Sequence, residues 1–377
     1  MSCRQSAPEA ARAQSEPVAA RPAYLLPIPP DRGVDDLSRF LAGVPGQSGS
    51  PFQALESSPD WVQHAAQSTA GWKRFLTQRQ PKMREFAASQ LTGPAMSHPV
   101  LFYPFGGPDI MTAQTLYPLA QTYVLVGLEP PGSLPDAADV RRRSAAFLAG
   151  MRAALGSILN KSFFVTREMD QQLRGQVADG LLPVMLVELV RNGNTVRGLR
   201  YITLDAEGKW SERQLGAGPG RPNDGVAVEF AEAGGTVKTL VYFSMNLGNE
   251  KYKDNAAFHK HLAQLAPFGA MFKSTSYMPH RDAFELIRTQ VLERATAVVQ
   301  DDSGIPYRFF EPAQWDVKLY GDYDKPYGSF RYLQQKDLRE AFAHRESVGE
   351  LPFSIGYGFG RMKSNLLVAR RQPAPSK

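Results

Sequence analysis

The sequence contains one cysteine, Cys3, in 377 residues. This excludes an internal disulfide and any metal site built from several thiolates. Six histidines are scattered along the chain, and the rings of His259 and His261 fall on different faces of a helix. No run of about 18 apolar residues occurs, so no segment has the length of a transmembrane helix. We therefore expect neither a metal site nor a membrane span.

The sequence also lacks a strong excess of either charge. Its 43 basic and 37 acidic residues leave a net charge of +6. Over this length the excess is too small to predict nucleic-acid binding, although the isoelectric point is about 9.3. The composition is 43% apolar and 10% aromatic. A chain of this kind can bury a large core, and we expect disorder only at its ends.

The tract that follows Cys3, RQSAPEAARAQSEPVAARPA, has too few hydrophobic side chains to fold. A cysteine after a small residue, Ser2, followed by a flexible tether, resembles the start of a mature bacterial lipoprotein. The resemblance implies that Cys3 carries a lipid, that this lipid is the only membrane contact, and that a basic and apolar segment is encoded upstream. The protein would then lie in the cell envelope, facing the periplasm. The alternative is a frayed N-terminus of a cytoplasmic protein.

Composition divides the chain into four parts. Residues 1–23 are the tether, 24–98 an extended and helical arm, 99–371 an α/β domain, and 372–377 a tail. The α/β domain opens with two apolar runs, VLFY and TYVLVGL, which have the character of strands covered by helices on both faces. Between them, DIMTAQTLY predicts a short helix with Asp109 as its N-cap. We predict a three-layer α/β fold with a Rossmann-like core.

The middle of the domain predicts antiparallel hairpins inserted into this fold. VMLVELV and the run 196–205 are expected to pair around Asn192-Gly193, and a second hairpin is expected around Gly234-Gly235. The sheet is therefore predicted to be mixed. Further elements are predicted as helices over about 137–172 and over 281–300, and as strands at 307–311, 315–323, 353–359 and 365–371.

The segment LFYPFGGPD, residues 101–109, is the first candidate site. In doubly wound folds a ligand lies beyond the carboxyl ends of the strands, where glycines let the main chain approach it. Gly106 and Gly107 supply such a turn, flanked by Phe105 and Asp109, and Glu129 follows the next strand, where an acid accepts hydrogen bonds from sugar hydroxyls. The alternative is a structural turn whose acid caps a helix.

This pattern resembles that of S-adenosylmethionine-dependent methyltransferases. Gly106 and Gly107 occupy the place of the glycine loop, Glu129 ends the second strand, and the closing SNLLVARR looks like the last strand of that fold. The resemblance implies a methyltransferase-like core and S-adenosylmethionine as a candidate cofactor. It assigns no catalytic residue.

Asp301 and Asp302 form a second candidate site. They follow a segment predicted as helix, where the negative end of the helix dipole disfavours acids. Two acids there indicate a compensating cation, basic side chain or ligand hydroxyl. The alternative is a turn exposed to water.

Two further groups follow predicted strands. One group is Lys273, Ser274, Ser276, Tyr277 and His280. These side chains are either candidates for a nucleophile and its base, or polar groups that form the hydrogen bonds at the end of a strand. No G-x-S-x-G motif supports a serine hydrolase. The other is an aromatic group that could stack on a ligand or form the wet rim of a sheet. It comprises Trp315, Lys318, Tyr320, Tyr323 and Tyr327.

As a whole, the chain resembles an uncharacterised bacterial family with FYPFGGPD, QDDSGIPYRFF and LPFSIGYGFG on one chain. That resemblance implies no activity. Two functional hypotheses remain from the sequence. One is an envelope-attached domain that binds a small polar or nucleoside-like ligand at the strand ends. The other is a methyltransferase-like enzyme or a degenerate relative of one.

Overall fold

The computed structural model describes residues 26–161, 180–213, 223–361 and 363–373, and a mixed β-sheet of eleven strands runs through this part of the chain. The strand order is β10-β9-β11-β8-β7-β1-β2-β6-β5-β3-β4. The strands are β1 Val100–Tyr103, β2 Thr122–Gly127, β3 Asn194–Leu204, β4 Trp210–Glu212, β5 Asp224–Glu232, β6 Lys238–Ser244, β7 Phe268–Phe272, β8 Ala295–Gln300, β9 Trp315–Gly321, β10 Val348–Gly349 and β11 Asn365–Arg371.

The centre of the sheet is parallel, and its flanks are antiparallel except for the short parallel pair β9 and β10. Strands β6, β2, β1, β7 and β8 are parallel neighbours, and β11 lies antiparallel between β8 and β9. On the other side, β5, β3 and β4 continue the sheet in antiparallel fashion from β6. The chain runs from β1 to β2, forms the flank β3, β4 and β5, comes back to β6 beside β2, and then places β7 on the opposite side of β1. The strand order therefore reverses between β1 and β7.

Helices cover both faces of the sheet. Along β1 and β2 the side chains alternate between two hydrophobic clusters, with Tyr103 and Leu125 in one and Phe102 and Val124 in the other. This confirms the expectation of strands buried on both faces. The helices are α1 Arg32–Ala42, α2 Pro59–Arg74, α3 Gln80–Gln90, α4 Ile110–Leu116, α5 Ala137–Arg142, α6 Ser144–Lys161, α7 Leu182–Arg191, α8 Asn249–Tyr252, α9 Ala256–Leu265, α10 Glu285–Arg294 and α11 Lys336–Ala343.

The first hairpin prediction was wrong. VMLVELV lies in α7, whose residues Leu182–Val190 are all buried. A helix that is apolar on every side has no 3.6-residue pattern, so periodicity cannot distinguish it from a buried strand. Asn192-Gly193 therefore joins a helix to β3, which pairs with β4 and β5 instead. The hairpin around Gly234-Gly235 is confirmed by the antiparallel pair β5 and β6.

Four further element predictions need correction. The helix predicted over 281–300 ends at Arg294, and Ala295–Gln300 is the buried strand β8. The predicted strands at 307–311 and 353–359 are 3₁₀ turns, at Tyr307–Phe309 and Gly356–Arg361. The long helix predicted from residue 137 breaks at Arg143. Its predicted end, residues 162–172, lies outside the described residues.

The predicted arm packs against the sheet. Helix α1 begins at the Asp31 N-cap, and the Asp35 carboxylate accepts a hydrogen bond from the Val196 amide of β3 at 3.0 Å. Phe86 of α3 contacts the Tyr320 ring edge to face, with centroids 4.9 Å apart. The predicted tether, including Cys3, lies outside the described ranges. Among the helices that the structure describes, none combines the length and the apolar character needed to cross a bilayer.

Candidate functional site

A cleft of about 250 Å³ opens at the carboxyl ends of β1, β2, β6 and β7. It therefore spans the point at which the strand order reverses, where ligands of doubly wound folds bind. Eight candidate residues from the sequence analysis line it together, and they come from three separate stretches of the chain. They are Phe105, Gly106, Gly107, Asp109, Glu129, Lys273, Ser274 and Ser276.

The turn after β1 has little room for substitution. A Cβ atom on Gly106 would lie 2.7 Å from the ring of Tyr103, and Gly107 has a φ of 57°. Phe105 also has a positive φ, 62°, which is uncommon for a bulky residue. Its ring packs edge to face against Phe284, with centroids 5.5 Å apart. The two glycines are thus required by the turn, and the turn brings its main chain to the wall of the cleft.

Asp109 and Lys273 form a buried ion pair at one end of the cleft. The Lys273 Nζ contacts Asp109 Oδ2 and donates to Thr112 Oγ1 at 3.1 Å. The hydroxyl of Tyr103 donates to the same carboxylate at 3.0 Å. Asp109 Oδ1 accepts a hydrogen bond from the Thr112 amide at 3.3 Å, which confirms the predicted N-cap of α4. The lysine and aspartate charges therefore compensate each other within the protein.

Glu188 stands beside this pair, and the sequence reasoning missed it. Its side chain is fully buried, its Oε2 accepts from the Met111 amide at 3.1 Å, and its Oε1 has no hydrogen-bond partner. Burial, followed by the charge of Asp109, raises its pKa well above the usual carboxyl value. The lone acid within VMLVELV was a visible signal, but the strand assignment placed it on a sheet face.

The Glu129 carboxylate is the acid that faces the cleft without a partner. The residue is half-buried after β2, and within the described ranges its side chain makes no hydrogen bond or ion pair. Its main-chain carbonyl accepts from the Tyr242 hydroxyl at 2.7 Å, which fixes the backbone at the end of the strand. The walls beside it are mainly apolar. They include Phe105, Leu128, Met245, Leu247, Met278 and Phe284.

The loop after β7 is held in an uncommon conformation. Ser274, Ser276 and Tyr277 all have φ near 55°. The Ser274 amide donates to Asp301 Oδ2 at 2.9 Å, and the Tyr357 hydroxyl donates to the Ser274 carbonyl at 3.0 Å. The Ser274 Oγ is buried, lines the cleft and has no hydrogen-bond partner. Strained backbone of this kind persists only where neighbours fix it, and it clusters at functional sites.

Asp301 and Asp302 follow strand β8, so the helix-dipole argument for them was wrong. Asp301 does not line the cleft. Its carboxylate accepts hydrogen bonds from the Ser274 and Ser303 amides, and Ser274 lines the cleft. Asp301 therefore fixes the wall of the cleft without forming part of it. Asp302 accepts from Tyr277 Oη at 2.5 Å and from Asn365 Nδ2 at 3.0 Å. Burial, and then the charge of Asp301, raises the pKa of Asp302 to about 7.

The aromatic candidates lie apart from the cleft. Tyr320 points toward α3, where its hydroxyl donates to Gln90 Oε1 at 3.0 Å. Tyr323, Tyr327 and Asp302 line a different cavity of about 260 Å³. Among the described residues, no group of histidine, cysteine, aspartate and glutamate side chains is arranged to hold a metal ion. His261 instead contacts the Gly208 carbonyl at 2.9 Å.

Comparison of the chain with protein-family models, with curated proteins and with solved structures finds no match.

Proposed function

We propose that the strand-end cleft binds a nucleoside-like ligand that carries no phosphate. The observation that carries the proposal is Glu129, a half-buried carboxylate with no partner among the described residues, at the end of β2 and beside apolar walls. An acid in this position of a doubly wound sheet accepts hydrogen bonds from ribose hydroxyls. The apolar side chains offer a surface for the base, and the Gly106-Gly107 turn lets the ligand approach the main chain.

The charges around the cleft support a ligand without phosphate. A helix N-terminus binds anions through its free amide groups, but in α4 the Met111 and Thr112 amides already donate to Glu188 and Asp109. Lys273 is the only cation among the residues that line the cleft, and Asp109 neutralises it. A neutral or positively charged ligand suits these surroundings better than an anion does.

S-adenosylmethionine combines a nucleoside with a positive sulfonium and has no phosphate, so the residues present fit it. Seven strands run in the order β6-β2-β1-β7-β8-β11-β9 with β11 alone antiparallel, a strand order typical of S-adenosylmethionine-dependent methyltransferases. When bound, this cofactor supplies a transferable methyl group. Glu129 would hold the ribose, and the apolar side chains beside it would contact the base.

A non-catalytic binding domain is the second candidate. It retains the same cleft and adds the envelope attachment through Cys3 that the lipoprotein resemblance implies. Cell fractionation tests it, with intact-protein mass spectrometry of the native protein. A lipid mass that is lost in Cys3→Ser, together with a membrane-fraction protein, supports this candidate. An unmodified protein in the cytoplasmic fraction supports the methyltransferase-like enzyme.

Thermal unfolding with a ligand panel tests the cleft itself. S-adenosylmethionine, its demethylated product and adenosine are expected to raise the midpoint, and ATP to raise it less. A ligand at about 100 times its dissociation constant stabilises a protein by about 2.7 kcal/mol. Glu129→Ala is expected to unfold at the wild-type temperature without ligand and to lose most of the shift. Glu340→Ala, an exposed acid of α11, is the matched control. Equal ligand-induced shifts of the midpoint in Glu129→Ala and Glu340→Ala would contradict the assignment of Glu129 to the site.

A further inference from the structure

A π-helical turn between α2 and α3 directs Arg79 inward. Residues Phe75–Arg79 form this turn, and the Gln80 amide donates to the Phe75 carbonyl five residues earlier. Pro81 accounts for the irregularity, because proline lacks an amide donor and its ring clashes with the carbonyl four residues before it. The wider turn accommodates Pro81 within a nearly continuous helix. Single π turns of this kind are frequent at functional sites.

The guanidinium of Arg79 is placed between two aromatic rings. Its Cζ lies 4.6 Å from the Phe75 ring centroid and 5.0 Å from that of Phe359. Its Nε is buried and has no hydrogen-bond partner within the described residues, and no described carboxylate forms an ion pair with it. Burial lowers the pKa of Arg79 only to about 10, and the charge of Asp109 opposes that effect, so the group is charged at neutral pH. The residue as a whole is half-buried, and a charge that is partly withdrawn from water is normally paired or bound to a ligand.

A cavity of about 810 Å³ lies in front of this guanidinium, separate from the strand-end cleft. Arg74 and Lys82 also line it, and neither of them pairs with a carboxylate in the part of the chain that the structure describes. Two acids also line the cavity. Asp322 is already paired with Arg345 at 2.7 Å, which leaves Glu350 as the uncompensated acid. Among the described residues that line the cavity, positive charge therefore predominates.

We propose that this cavity binds an organic phosphate through Arg79. Three cations against one uncompensated acid favour a doubly charged group over a single carboxylate, and the planar guanidinium can donate two parallel hydrogen bonds to phosphate oxygens. Phe75, Phe353 and Phe359 add apolar walls, so the organic part of the ligand would contact rings rather than water. The cavity shares no lining residue with the proposed nucleoside cleft, although the charge of Asp109, which lines that cleft, raises the pKa of Arg79.

Isothermal titration calorimetry of the full chain with phenyl phosphate tests the site, with inorganic phosphate and benzoate for comparison. Phenyl phosphate is expected to bind more tightly than either. Arg79→Ala is expected to weaken it by at least about tenfold, a loss of about 1.4 kcal/mol. Arg84→Ala, an exposed arginine of α3 outside the cavity, is the control and is expected to change the affinity by less than about twofold.

Arg74→Ala with Lys82→Ala provides a second variant, because both side chains are exposed and their loss leaves the core intact. This double variant is also expected to weaken the binding of phenyl phosphate by at least about tenfold. The proposal is overturned if phenyl phosphate does not bind, if benzoate binds equally well, or if the cavity variants that fold bind phenyl phosphate as the wild type does.

Discussion

At the scale of single residues, ionisable side chains are buried in unusual number behind the carboxyl ends of β1, β7 and β8. Asp109, Glu188, Lys273, Asp301 and Asp302 are all less than a tenth exposed. The hydrogen bonds and the ion pair among them keep the α4 N-terminus and the loop after β7 in place. These residues position the walls of the cleft, and Glu129 is the acid that the proposed ligand would contact.

Lys273→Met removes one partner of the buried ion pair. The methionine keeps the length of the side chain but leaves Asp109 charged without its cation. Breaking a buried pair in this way costs about 3–5 kcal/mol. Urea unfolding at pH 7 measures the loss, and Lys73→Met, an exposed lysine of α2, is the control, with an expected change of less than about 0.5 kcal/mol. A loss below about 1 kcal/mol for Lys273→Met would contradict the assigned role of the pair.

Asp302 gives the protein a pH dependence of stability that a variant can isolate. Its pKa is raised from 3.8 to about 7 in the folded state. As the pH rises from about 4 to 7, the unfolded chain gains by ionising Asp302 while the folded protein retains the proton. The free energy of unfolding of the wild type, relative to that of Asp302→Asn, is therefore expected to fall over this range and to level off above it. Urea unfolding of both proteins at a series of pH values tests this. If the free energy of unfolding of the wild type relative to Asp302→Asn rises with pH, the prediction is contradicted.

The candidate residues differ in how far the sequence could predict them. Gly106, Gly107 and Glu129 were visible because they follow apolar runs that form parallel strands, and such strands end at the same edge. Arg79 gave no signal, and the signal of Glu188, a lone acid in an apolar run, was lost when that run was assigned to a strand. Glu188 acquires its place from the packing of α7 against α4, and Arg79 acquires its place from a π turn that local propensity does not indicate.

At the scale of elements, the turn between β1 and α4 shapes the cleft. Gly106→Ala would press a methyl group against the Tyr103 ring and is expected to destabilise the protein by about 1–3 kcal/mol. Gly156→Ala is the matched substitution, because Gly156 lies in helix α6 with open space around it. It is expected to stabilise by about 0.5–1 kcal/mol. Thermal unfolding compares the two variants, and a neutral Gly106→Ala would contradict the tight turn.

The elements that the sequence predicted correctly have patterns that only one structure satisfies. VLFY lies between Pro99 and Pro104 and TYVLVGL is followed by Pro130, so prolines bound these runs, and Asp109 is followed by a helix that it caps. The predictions failed where an apolar run fitted two structures. Helix α7 has no polar face, and β8 continues directly from α10 without a glycine or proline between them. Tertiary packing decides whether such a segment forms a helix or a strand, and the periodicity of the sequence does not report that packing.

At the scale of the whole molecule, one sheet presents two cavities of opposite character. The cleft at the reversal point between β1 and β7 has acids and a neutralised lysine. The cavity around Arg79 has three cations that form no ion pair within the described residues. The mixed α/β architecture was predicted from the sequence. The division of acidic and basic side chains between two cavities was not predicted, because it depends on residues that are distant in the chain.

A crystal structure of the protein with S-adenosylhomocysteine, the demethylated product, tests the central claim most directly. We predict that the ligand occupies the cleft with its ribose hydroxyls within about 3.2 Å of the Glu129 carboxylate and its base against Leu128 and Met245. A ligand bound elsewhere, or a cleft that holds no ligand at saturating concentration, would contradict the account.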